Sequence, residues 1–103
     1  MPASKFTARE PAAATLLCED ARSRVIRYDF NPGAETGWHI HHMPYVVVPL
    51  TDCEFLIESA AGESRVSQKA GAAYTRDKGV EHNVVNGGNE PMSFVEIEMK
   101  APA

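Results

Sequence analysis

The chain has 103 residues, 44% of them hydrophobic and 23% charged, with a formal net charge of −4. That length holds one domain, and the acidic balance speaks against nucleic acid and anionic membranes, which need a basic face. No apolar run approaches the ~18 residues of a spanning helix.

Residues 1–10 are polar and unpatterned. They read as a flexible lead-in without the apolar stretch of a secretory signal, and residues 11–103 read as the single domain. Residues 11–18 are ambiguous: Pro11 and the alanines suit a helix start, whereas residues 15–18 suit a strand, and the strand is preferred. From residue 24 onward the pattern is β. Residues 24–30 alternate, with Ile26, Tyr28 and Phe30 on one face. Further strands are expected over 37–42, 45–50, 53–58, 64–67, 72–76, 82–86 and 92–99, separated by Gly-, Asn- and Asp-rich turns. Eight or nine short strands describe a β-sandwich or barrel. Pro49 cannot donate to a ladder, so an edge or a bulge is expected there.

Of the four histidines, His39, His41 and His42 fall within four residues. His39 and His41 are two apart on an expected strand, so both imidazoles share a face and can point at one ion, while His42 points away. His82 begins a distant strand after a glycine turn and can supply a third nitrogen.

These residues resemble the cupin family, in particular small single-domain cupins of the RmlC-like superfamily associated with β-alanine degradation. The first cupin motif, G-x5-H-x-H-x3-4-E-x6-G, is matched by Gly33, His39 and His41. The second, G-x5-P-x-G-x2-H-x3-N, is matched by Gly71, Gly79, His82 and Asn86. The resemblance implies an all-β double-stranded β-helix, or jelly-roll barrel, of about eight or nine strands. It also implies a homodimer and one divalent ion (Fe, Mn, Ni, Cu or Zn) held by His39, His41 and His82. Three departures stand out. Tyr45 and Val46 occupy the place of the family's glutamate ligand, Asp52 replaces a glycine, and Asp77 replaces the proline. Loss of the glutamate leaves a three-histidine site of the kind used by some cupin-like dioxygenases. A neutral ligand set favours anionic, chelating substrates, whose charge replaces the missing one.

Tyr45 is expected to line the pocket rather than ligate. Glu96 and Glu98 share one face of the last strand, expected to be solvated, although on an interior face Glu96 could be a ligand or a base. Arg76 is a surface residue or a bidentate donor to a substrate carboxylate. Glu81 faces solvent, and Trp38 packs in the core or an interface. Cys18 and Cys53 lack C-x-x-C spacing, which suggests two reduced thiols in a cytoplasmic protein, with a disulfide left open. The function expected is that of a dioxygenase or isomerase acting on a small polar or carboxylated metabolite. The alternative is a non-catalytic binding or sensory cupin.

Overall fold

The computed structural model describes residues 8–101. Nine strands follow one another: β1 (Ala13–Glu19), β2 (Ser23–Phe30), β3 (His39–Ile40), β4 (Tyr45–Pro49), β5 (Cys53–Ser59), β6 (Gly62–Gln68), β7 (Tyr74–Arg76), β8 (Glu81–Asn86) and β9 (Met92–Met99). They form two antiparallel sheets, ordered β1-β2-β9-β4-β7 and β3-β8-β5-β6. This is the all-β jelly-roll arrangement that the turn spacing and motifs imply.

Side-chain alternation builds the core. Phe30 on β2, Phe94 on β9 and Val47 on β4 point from the first sheet, and Phe55 on β5 and Val84 on β8 meet them from the second. Phe94 is the meeting point. Its ring stacks with Phe30 at 5.5 Å and meets Phe55 edge-on at 5.6 Å, joining the two sheets. Each such buried side chain contributes about 1.5–3 kcal/mol through apolar area alone. Cys53 is fully buried, Cys18 is exposed on β1, and both thiols are free.

Three local expectations change. The strand expected over 37–42 shrinks to two residues. The His41 backbone leaves the ladder to accept from Gly79 N–H (2.7 Å) and donate to the Val80 carbonyl (2.8 Å). Pro49 lies neither on an edge strand nor in a bulge. It ends β4 beyond the last residue paired with β7, where no donor is required, and its carbonyl accepts from Gly71 N–H at 2.8 Å. Trp38 is not in the core, since 59% of its surface is exposed beside exposed Ile40.

Of the lead-in expected over residues 1–10, residues 1–7 lie outside the described residues. Arg9 and Glu10 are tied down: Arg9 bonds Glu35 and Glu58, and the Glu10 carbonyl accepts from Glu35 N–H at 2.9 Å. The loop over 33–37 then runs beside β8, with Thr36 N–H bonded to the Val84 carbonyl at 2.8 Å. It delivers His39 directly opposite His82 in the β3–β8 register.

Candidate metal centre

His39 and His82 are cross-strand partners, and the bonds between His41 and the Gly79–Val80 turn hold His41 against the start of β8. Gly79 sits at φ +93°, a conformation that favours glycine, which explains why this turn carries one. The three rings stand nearly at right angles, with interplanar angles of 71–87°. Their Nε2 atoms converge: His39 to His41 is 2.9 Å and His41 to His82 is 3.2 Å. Nitrogens bound 2.0–2.1 Å from one ion stand about 3 Å apart, so the spacing fits a single divalent cation. His42 is exposed, as alternation implied.

Burial keeps two of the rings in the ligating form. The His41 and His82 pKa values fall to about 4, mainly through burial and then through the neighbouring imidazoles and Arg76. Both are neutral at physiological pH, with a lone pair to offer.

The outer nitrogens differ. His39 Nδ1 donates to the Gly37 carbonyl at 2.7 Å, which leaves its Nε2 lone pair facing the other rings. His41 Nδ1 faces Glu96 at 3.7 Å. Among the described residues, His82 Nδ1 is buried without a partner, and so is the Tyr45 hydroxyl.

The structure brings Tyr45, Arg76 and Glu96 into one cavity with His82. Val47, Phe55, Ile57, Tyr74, Val84 and Phe94 complete its wall, and it holds about 20 Å³ of free space. That is room for about one water molecule. Tyr45 stands where the family's glutamate would be. Its ring stacks on His41 at 3.8 Å, and burial raises its pKa above the usual phenol range. Glu96 is 6% exposed, which overturns the expected solvated face. Burial and then Glu98 push its pKa up to about 7. Glu96 lies at the Nδ1 end of His41, behind the converging nitrogens, and with His41 and Glu98 it makes a second group of potential ligands. Glu98 pairs with Arg24 at 3.9 Å, while exposed Arg76 forms no ion pair among the described residues. Glu81 is exposed.

Sequence reasoning missed Asn83. It follows His82, is 1% exposed, and accepts from Gly37 N–H at 2.9 Å. An amide beside the apolar pair Val84–Val85 was the available signal. Its partners Glu35 and Glu58, which Arg9 bridges, are too distant in sequence to be paired with it by inspection.

Comparison with known proteins agrees with this architecture. Residues 26–98 match the cupin domain model Cupin_2. The chain is 45% identical over 95 residues to the β-alanine degradation protein BauB of Pseudomonas aeruginosa, covering 92% of this chain and all of that protein. A crystal structure of a cupin domain from Bordetella pertussis superposes with a TM-score of 0.90 at 44% identity, covering 93% of this chain and all of the other. The polyketide cyclase RemF of Streptomyces resistomycificus shares the fold at a TM-score of 0.69 and 18% identity, over 93% of this chain and 73% of its own. With nine strands in two sheets, both histidine motifs and a family match across most of its length, the chain belongs to the cupin domain family.

Proposed function

We propose that the protein is a metal-dependent cupin in which His39, His41 and His82 hold one divalent ion, and that it acts on a small polar or carboxylated metabolite in a dioxygenase- or isomerase-type reaction. The observation that carries this reading is the convergence of three Nε2 atoms, that of His41 lying 2.9 Å from His39 and 3.2 Å from His82. A bound divalent ion would supply Lewis acidity and open coordination positions. Fe, Mn, Ni, Cu and Zn all suit imidazole, so the donor set does not select among them.

The chain's own residues supply the rest. Glu96 holds a proton up to about pH 7 in the cavity behind the converging nitrogens and can give or take one there. Arg76, free of any described ion pair, offers two parallel donors to a carboxylate at the cavity edge. The name of BauB supports a substrate from β-alanine degradation. The protein acts in the cytoplasm as a homodimer. Exposed Leu16, Leu17, Trp38 and Ile40 are apolar surface for a second copy to cover. No helix among the described residues is long and apolar enough to cross a membrane.

A non-catalytic binding or sensory role is the second reading. The 20 Å³ cavity constrains both readings alike, because a metabolite can enter only if the wall moves.

Metal analysis of untagged protein tests the main reading. About one equivalent of metal is expected, and it should be lost in each of His39→Ala, His41→Ala and His82→Ala. Metal that survives His82→Ala would sink the three-histidine arrangement. Oxygen-uptake assays on the iron-loaded protein then separate an oxygenase from an isomerase or a binder.

A further inference from the structure

We propose that Asn83 is a positioning residue of the three-histidine centre, acting through Gly37 to hold His39 in its ligating tautomer. His82 and Asn83 are neighbours on β8 and face opposite ways, so one residue points to the rings and the next to the loop that delivers His39.

The amide of Asn83 is fully satisfied. Its Nδ2 donates to Glu35 and to Glu58, each at 2.8 Å. Its Oδ1 accepts from Gly37 N–H at 2.9 Å and lies 3.5 Å from the Thr36 hydroxyl. Two carboxylate acceptors on one side and a backbone donor on the other leave a single sensible orientation for the amide. Two carboxylates converging on one nitrogen would repel each other. Arg9 bridges them, at 3.2 Å from Glu35 and 3.0 Å from Glu58.

Gly37 links this cluster to the site. Its φ is +90°, which few residues other than glycine adopt. The peptide group before its Cα is pinned by Asn83, and the carbonyl after it accepts from His39 Nδ1 at 2.7 Å. A neutral imidazole carries one proton. Holding that proton on Nδ1 leaves Nε2 as the lone-pair donor aimed at His41, 2.9 Å away. The Gly37 carbonyl also accepts from the Thr36 hydroxyl at 3.0 Å, but without the Asn83 contact the Gly37 N–H loses its anchor, the carbonyl can turn from the ring, and the proton is free to move to Nε2. The proposal rests on the three-histidine reading only in its metal-affinity part.

The test measures the histidine tautomers of the metal-free protein by long-range ¹⁵N–¹H NMR, and Co(II) affinity in parallel. In the unsubstituted protein His39 should be in the Nδ1–H form. In Asn83→Ala the Nε2–H form should appear, and Co(II) affinity should fall about tenfold, the low end for an outer partner of a metal-bound histidine. Met92→Ala, which empties a core position, serves as a control for general destabilisation and should leave the His39 tautomer unchanged. A folded Asn83→Ala that keeps His39 entirely Nδ1–H overturns the proposal, as does an equal tautomer shift in Met92→Ala. If Asn83→Ala does not fold, Arg9→Ala decides, because its side chain is partly exposed. A partial shift of the His39 tautomer supports the coupling, and no shift overturns it. If the unsubstituted protein binds no Co(II), the metal reading fails, and the tautomers of the metal-free protein still decide the role of Asn83.

Discussion

The two sides of the histidine cluster are built differently. On the loop side, His39 leans on a carbonyl, the adjacent peptide on an amide, and the amide on two carboxylates bridged by an arginine. On the cavity side, the Tyr45 hydroxyl and His82 Nδ1 have no partner among the described residues, and buried Glu96 faces the neutral His41 ring at 3.7 Å. Buried polar groups normally find partners, and an unsatisfied one costs about 1–3 kcal/mol. The satisfied side therefore acts as scaffold. The unsatisfied groups of Tyr45 and His82, and the buried Glu96, all line the small cavity.

Glu96→Gln should break this contrast most strongly. In the folded chain the carboxyl keeps its proton up to about pH 7, whereas an unfolded glutamate releases it near 4.5. Stability due to this group is thus present below pH 4.5 and lost as pH rises towards 7. The amide removes that loss, so Glu96→Gln should gain on the order of 1–3 kcal/mol at pH 8 by chemical denaturation. The same change removes the carboxylate facing His41, so metal affinity should fall about tenfold. Stability and metal affinity moving in the same direction would count against the assignment.

His41 and His82 act in the opposite sense. Their pKa values are lowered from 6.5 to about 4, so stability due to them is present above pH 6.5 and lost as pH falls towards 4. Two such groups outweigh the single glutamate. The metal-free protein should therefore be most stable near pH 6.5, a maximum that thermal unfolding across pH 4–8 would reveal and that Glu96→Gln should extend to higher pH.

Gly37→Ala probes the scaffold side. A Cβ there meets no atom within 4 Å, so the substitution tests backbone conformation alone. The positive φ should cost about 1–2 kcal/mol. The smallest effect is expected of Tyr45→Phe. It keeps the ring on His41 and removes an unpartnered hydroxyl, so the metal-free protein should gain about 1 kcal/mol. A loss of stability instead would show that the hydroxyl is bonded in solution.

Much of this was legible in the sequence, and the parts that were not share a cause. Hydrophobic alternation marked the strands, and glycines at fixed spacings from His39, His41 and His82 marked the site. Those signals are local. The burial of Glu96 was not legible, because alternation says which residues share a face and not which face the second sheet covers. Trp38 was expected in the core or an interface; it precedes β3 and is exposed, which removes the core alternative, and local pattern could not choose between the two. Asn83 takes its meaning from Arg9, Glu35 and Glu58, which only the folded chain brings together.

The pairing of His39 with His82 has a consequence for folding. The two residues lie far apart in the chain, with β4 to β7 strung between them. Contacts that close so large a loop form late, after local hairpins such as β5–β6. The three nitrogens can converge only when both sheets have closed. Cobalt uptake during refolding would therefore time the last stage of assembly rather than the first, and the histidine cluster would serve as a clock for completion of the barrel.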